Sequence, residues 1–315
     1  MGRIDVHFHN VPDFYVEAAR AARAERGVQT REEFPPWSPE LCLEIMDRHG
    51  IDVAITSYTQ GRGNFATGEK HRALTRRFND YSAELCARWP KRFGAFAMAP
   101  MPDVAGSVVE IERALDELKF DGVCLYTNYE GKYLGDPAFD PVMELLDARR
   151  AVLFVHPAMH PSYSQLGLPW PAFMIEYPMD TTRAAVNMLF NGTLKRFPRI
   201  RIILAHAGGF VPYVAWRLSV TPIMQPRLPQ LSREEVYAGL RHYWYDTALS
   251  YAPESFGPLD AVADPAKVLF GSDWPFSNQK VLPIIDETMN RGHLSAERRT
   301  AIDRGNAEKL FSRFA

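Results

Sequence analysis

Side chains able to grip a metal ion stand at the ends of four short apolar runs. They are His7 and His9 in IDVHFH, His156 in VLFVHP, His206 in IILAHAGG and Asp273 in LFGSDWPF. The His-x-His pair alone proves little, because nine histidines in 315 residues yield such a pair by chance in about one chain in four. Its company is what counts. Alternate residues of a strand share a face, so His7 and His9 point the same way. Three imidazoles and one carboxylate drawn from this set suit one divalent ion, Zn²⁺ or Mn²⁺, with coordination positions left open for water or substrate. Each residue also has an ordinary role available: His206 as a hydrogen-bonded core histidine, Asp273 as the N-cap of a turn after Pro275. His160 is the competing ligand, four residues beyond His156 but out in a loop. His49, His71, His242 and His293 fall at helix ends, a strand start or a surface turn and read as structural.

The elements that must position these groups follow from periodicity. Eight runs read as strands: Arg3–His9, Val53–Tyr58, Phe93–Met98, Gly122–Tyr126, Val152–His156, Arg201–His206, Tyr243–Thr247 and Lys267–Gly271. Most are short, apolar and rich in β-branched or aromatic residues, as strands buried on both faces are. Helical patterns separate them at Pro39–His49, Lys70–Trp89, Val104–Leu118, Pro141–Arg149, Asp180–Phe197 and Phe210–Leu218, and Glu297–Phe314 reads as a terminal helix. Ser38-Pro39 opens one helix and Gly50 closes it, while Pro198 stops another. Eight strands alternating with helices predict an α/β fold, a (β/α)8 barrel with a C-terminal helix, over residues 1–315 as one domain. In such barrels catalytic groups gather at the C-terminal strand ends, where all five residues fall.

Three connections are long and Pro-rich: Asn10–Ser38, Pro157–Met179 and Thr221–Arg233. The first two follow strands 1 and 5, so they are expected to be lid insertions over the metal mouth. Phe34, Trp37, Tyr163, Trp170, Phe173 and Tyr177 either anchor these loops or line an apolar, aromatic-sized pocket.

Composition narrows the class. A 46% apolar and 23% charged chain has the makings of a soluble globular protein. A net charge of −2 argues against nucleic-acid or anionic-membrane binding, which need a basic surface. No apolar run reaches transmembrane length, no signal-peptide core precedes the first strand, and Val6 stands where a myristoylation signal needs Ser or Thr. Cys42, Cys86 and Cys124 are odd in number and sit in apolar or helical stretches, which predicts unpaired thiols in a reducing cytoplasm.

Taken together, IDVHFH, VHP, AHAGG and GSDWPF resemble the amidohydrolase superfamily, in the branch of aminocarboxymuconate-semialdehyde decarboxylase and γ-resorcylate decarboxylase. The resemblance runs from Ile4 to Phe276 and includes PWSPE…MDRHGI; the segments FDGVCLYTNYEGKYLGDPAFDPVMELLDARR and EYPMDTTRA further resemble 6-methylsalicylate decarboxylases. It implies His7, His9, His156 and Asp273 as metal ligands and His206 as an acid/base or charge stabiliser. It implies that Arg217, in VAWRLS, crosses a homodimer interface to meet a substrate carboxylate; a solvated helix charge is its other role. Binuclear relatives carry a carboxylated lysine at the end of strand 4, where this chain has Leu125-Tyr126-Thr127, so one ion is expected. Glu33 replaces a substrate-binding arginine of the aminocarboxymuconate enzyme, which disfavours that dicarboxylate substrate by removing a partner and adding a like charge.

The implied activity is nonoxidative decarboxylation of a hydroxylated aromatic acid. Asp273 is implied as the proton donor with His206 shaping the charge, although the residues leave those two roles exchangeable. Tyr126, Trp170 and Phe276 are the candidate pocket walls, with core packing as the alternative for each. The same ligands could instead activate water in a hydrolase of a lactone, ester or amide, or in a hydratase. A barrel that only binds its ligand is the non-catalytic alternative, and the complete ligand set speaks against it.

Overall fold

A computed structural model describes residues 2–25, 34–59, 67–167 and 169–315. Its central sheet has eight strands: β1 (Arg3–His9), β2 (Ile51–Ser57), β3 (Phe93–Ala97), β4 (Gly122–Tyr126), β5 (Val152–His156), β6 (Arg201–Leu204), β7 (Trp244–Asp246) and β8 (Val268–Leu269). They pair in chain order, every pair parallel. Beyond the short β8 the chain continues along β1: Val6 N donates to Phe270 O at 3.0 Å, Asp273 N to His7 O at 2.8 Å and His9 N to Trp274 O at 2.7 Å. These bonds satisfy the edges that an open sheet would leave bare. The predicted barrel is therefore present, with strand boundaries within two residues of expectation at most ends. Among the described residues, no helix is long and apolar enough to cross a membrane.

Strand β1 reads polar and apolar in strict alternation, and every residue of it is buried. Ile4, Val6 and Phe8 supply the apolar face, while Asp5, His7 and His9 share the other. Below the histidines the barrel is filled with aromatic rings. Phe154 lies 5.0 Å from the His7 ring, Phe96 stacks on Phe154 at 5.3 Å, and Phe311 meets Phe96 at 6.0 Å. Each buried Phe stabilises the barrel by about 1.5–3 kcal/mol of transfer free energy, and together they give the histidines a dry floor.

The helices that hold this sheet include α1 (Asp13–Glu25), α2 (Pro39–Arg48), α3 (Gly68–Arg88), α4 (Val104–Asp116), α5 (Asp140–Ala148), α6 (Glu176–Phe190), α7 (Val211–Met224), α8 (Arg233–His242), α9 (Pro253–Val262) and α10 (Leu282–Met289). The Ser38 hydroxyl accepts from Leu41 N at 3.1 Å, as its position before Pro39 requires. Four helices depart from the expected pattern. Helix α1 occupies part of the stretch read as a lid, and α8 to α10 fill stretches given no helix. A signal for α8 existed in Ser232-x-x-Glu235, which forms a capping box. Helix α9 hides itself by carrying Pro253 and Pro258.

The terminal helix expected over Glu297–Phe314 is broken. A turn of α-helix at Ala296–Thr300 passes into a π-turn at Ala301–Gly305 and ends in separate short turns. The cause is pairing with the barrel: Phe270 N donates to Ile302 O at 3.0 Å, and Asn306 Nδ2 donates to Val268 O at 2.9 Å. A continuous helix would spend the Ile302 carbonyl on its own ladder.

Candidate metal centre

Strand ends bring the site together. The register of β4 on β5 sets Tyr126 beside His156, and the closing bonds from Asp273 and His9 set the β8 turn beside β1. Each of His7, His9, His156 and Asp273 can offer one ligand atom such that all four lie within 4.8 Å of one another, and all four residues are buried. His7 Nε2 stands 3.2 Å from His9 Nε2 and 3.4 Å from Asp273 Oδ1, and His9 Nε2 stands 3.2 Å from the same oxygen. His206 Nε2 is 3.6 Å from Asp273 Oδ2, so it adjoins the cluster through that carboxylate.

The remaining ring nitrogens reveal two residues that sequence reading missed. His7 Nδ1 lies 2.8 Å from Asp246 Oδ2 and His9 Nδ1 lies 3.0 Å from Ser57 Oγ. His156 Nδ1 donates to Pro157 O at 2.9 Å. Each pairing leaves Nε2 facing the cluster. Both missed residues end apolar strands, the same signal that marked the ligands, but Ser and Asp are too common at such places to be singled out by type.

Electrostatics within the cluster are those of a site built for a cation. Burial acts to lower the His7 imidazole, but the Asp246 and Asp273 carboxylates outweigh it and hold the ring up at about 10. Burial pulls His9 below its usual value and, with the neighbouring imidazoles, pulls His156 well below. Burial acts to raise the Asp273 carboxyl, yet His7 and its hydrogen-bonding neighbours hold it well below the usual range. Imidazole nitrogens 3.2 Å apart repel unless a positive charge lies between or on them, which favours a proton on the His7 ring, held up by the carboxylates beside it. A divalent ion would replace that proton with more charge at the same focus, so the donors present fit one. Among the described residues this is the one such cluster.

The backbone is bent to make this geometry. His206 and Ala207 adopt φ of 55° and 53° in succession, and Asp273 adopts 62°. Left-handed non-glycine residues cost of order 1–3 kcal/mol and cluster where function needs them. The glycines of AHAGG answer the same demand. A Cβ at Gly209 would fall on the Pro178 carbonyl, and one at Gly208 would meet the Tyr245 ring at 2.7 Å. Gly271 clears the gap between strands, since a Cβ there would stand 2.7 Å from His7 Cβ.

Of the other expected site residues, Tyr126 is buried with its ring 5.5 Å from His156, and Phe276 is partly exposed with its ring 5.4 Å from His9. Tyr177, expected only as a loop aromatic, comes within 6.3 Å of His156. Trp170 and Arg217 are exposed, and neither shares a hydrogen bond, ion pair or ring contact with the cluster among the described residues. Phe34 and Trp37 pack toward Tyr15 and Tyr81, which makes them anchors of their segment. Glu33 lies outside the described residues. His160 stacks on Tyr133 at 5.7 Å and bonds Ser162, away from the ligands. All three cysteines are unpaired.

Known proteins resemble this chain over nearly its whole length. A 6-methylsalicylic acid decarboxylase of Penicillium expansum is 37% identical over 99% of this chain and 97% of its own length. A solved amidohydrolase II is 29% identical, with a TM-score of 0.88 over 98% of this chain and 99% of that one. A dihydroxybenzoic acid decarboxylase from Polaromonas sp., solved with manganese and 2-nitroresorcinol, shares the fold at 24% identity, with a TM-score of 0.78 over 99% and 97% of the two chains. The amidohydrolase family profile matches residues 4–313, and the chain belongs to that family.

Proposed function

We propose that this protein is a metal-dependent, nonoxidative decarboxylase acting on a hydroxylated aromatic acid of the 6-methylsalicylate type. The observation that carries the reading is a buried three-histidine, one-carboxylate cluster beside His206, in a chain 37% identical end to end to a 6-methylsalicylic acid decarboxylase. A bound ion, Zn²⁺ or Mn²⁺, would supply the positive charge that draws the substrate carboxylate and its neighbouring phenolic oxygen into one orientation. His7, His9, His156 and Asp273 hold that charge in place. Tyr126, Tyr177 and Phe276 border the ring, with Trp170 and the Pro157–Met179 segment as the outer wall. A proton then joins the ring carbon that bears the carboxylate. The bond to the carboxyl carbon breaks, its electron pair restores the aromatic ring, and CO₂ leaves. Asp273 delivers the proton, and because its neighbours keep it ionised at rest, His206, 3.6 Å away and outside the ligand set, is the group placed to recharge it.

The test is turnover in D₂O of a panel of ortho-hydroxybenzoates, 6-methylsalicylate included, by enzyme loaded with Mn²⁺ or Zn²⁺. One deuterium on the former carboxyl carbon, with loss of CO₂, is the expected result. No turnover across the panel, together with cleavage of simple esters or lactones, would replace the reading with a hydrolase.

The same proposal makes the protein a cytoplasmic homodimer of one-domain chains. Support comes from α7, where Tyr213, Trp216, Ile223 and Met224 are 81%, 64%, 71% and 72% exposed. Standing 3, 10 and 11 residues beyond Tyr213, the other three share its helix face and form one apolar stripe beside Arg217. A second copy covering this stripe carries Arg217 toward its partner's substrate. Arg217→Ala is expected to lower kcat/KM about 10- to 100-fold, the worth of one charge-assisted hydrogen bond. Mixing it with Asp273→Asn, after dissociation and reassociation, is expected to raise turnover above that of either variant alone. Absence of that rescue in mixed dimers would rule out a shared site.

A further inference from the structure

Asp246 is completely buried and uses both oxygens on the site. Its Oδ2 faces His7 Nδ1 at 2.8 Å. Its Oδ1 accepts from His206 N at 3.0 Å and from Ala248 N at 2.9 Å. The first contact concerns a metal ligand on β1; the second pins the start of the left-handed turn that carries His206 after β6. One carboxylate at the end of β7 thus joins two groups with different work.

We propose that Asp246 is a positioning residue that keeps the proton of His7 on Nδ1, so that Nε2 is free to bind the ion, and that it ties the backbone of His206 to that ligand. The reasoning is one of donors and acceptors. Among its hydrogen-bonding partners in the structure, Asp246 meets three N–H groups and no acceptor, so an ionised carboxylate satisfies all of them. Imidazole has one proton when neutral, and an acceptor at Nδ1 draws it there. Without Oδ2, Nδ1 has no such claim and the proton is free to sit on Nε2, the atom the ion needs. On the other side, His206 holds φ at 55° against its own steric preference, and a bond to its N–H is one of the few ways to keep it so. The close approach is permitted by Gly271, whose missing Cβ would meet Asp246 Cβ at 3.3 Å as well as His7.

Asp246→Asn separates the two duties. An amide has a single acceptor oxygen, and two backbone N–H donors against one ring N–H keep that oxygen on the backbone side. The amide nitrogen then confronts His7 and donates to Nδ1, which forces the ring proton to Nε2. Mn²⁺ affinity, read by calorimetric titration of metal-free protein, is expected to fall about 10- to 100-fold, while kcat at saturating Mn²⁺ falls less. Asp246→Ala loses both contacts, so its kcat stays low even at saturating Mn²⁺. An Asn variant that binds Mn²⁺ within twofold of the parent would overturn the proposal. Should neither variant fold, the parent protein decides it: long-range ¹H–¹⁵N spectra of the Zn²⁺ form are expected to show His7 protonated at Nδ1, and ligation through Nδ1 would overturn it. The metal and tautomer readings hold for any substrate. Only the kcat comparison rests on the decarboxylase reading, so failure of one is distinguishable from failure of the other.

Discussion

Replacing Asp273 by Asn is expected to remove turnover by about 10²- to 10⁴-fold at saturating metal, the range associated with a lost general acid. The side chain is the junction of the site: its two oxygens lie 3.2 Å from His9, 3.4 Å from His7 and 3.6 Å from His206. Asn nearly matches Asp in volume and tolerates a left-handed backbone, so the φ of 62° gives no reason for misfolding. What it lacks is charge, and with it a place to carry a proton. Kinetics across a metal titration, with circular dichroism to verify folding, measure the effect. An Asn variant whose kcat recovers to within tenfold of the parent at high Mn²⁺ would mean that Asp273 only anchors the ion and another group protonates the ring.

His206→Asn should separate the neighbouring role. The ring is buried, its Nδ1 has no hydrogen-bond partner, and its Nε2 meets the four-residue cluster from outside, at Asp273 Oδ2. An unpartnered buried nitrogen costs roughly 1–3 kcal/mol, which a site accepts when the atom acts during the reaction. Metal content, measured by elemental analysis after gel filtration, is therefore expected to equal that of the parent, while kcat drops about 10²- to 10⁴-fold. Loss of the ion instead would make His206 a ligand, and an unchanged kcat would leave it a packing residue.

These two variants probe residues that could be picked out before any coordinates. His7, His9, His156, His206 and Asp273 stand out because each ends a short apolar run. The AHAGG glycines were equally visible, but their reason was not: Gly209 is required by the Pro178 carbonyl, which lies 31 residues away in the chain. Tyr126 and Phe276 stand beside the histidines as anticipated, whereas Trp170 makes no ring contact with them among the described residues.

Local pattern determined what each segment buries and where each strand ends, since periodicity and burial are properties of neighbouring residues. It therefore yielded the eight-stranded barrel, its metal-binding mouth and five of the residues there. Partnership across the barrel is a different kind of information. Nothing near Asp246 in the chain announces that it will meet His7, 239 residues away, nor anything near Ser57 that it will hold His9. The break in the C-terminal helix has the same origin, because the Ile302 carbonyl finds the Phe270 N–H only once β8 has closed on β1. Tertiary structure alone decided which nitrogen of each histidine faces the cluster and which backbone turns left-handed. Those choices rest on hydrogen bonds between residues that only the closed barrel brings within reach.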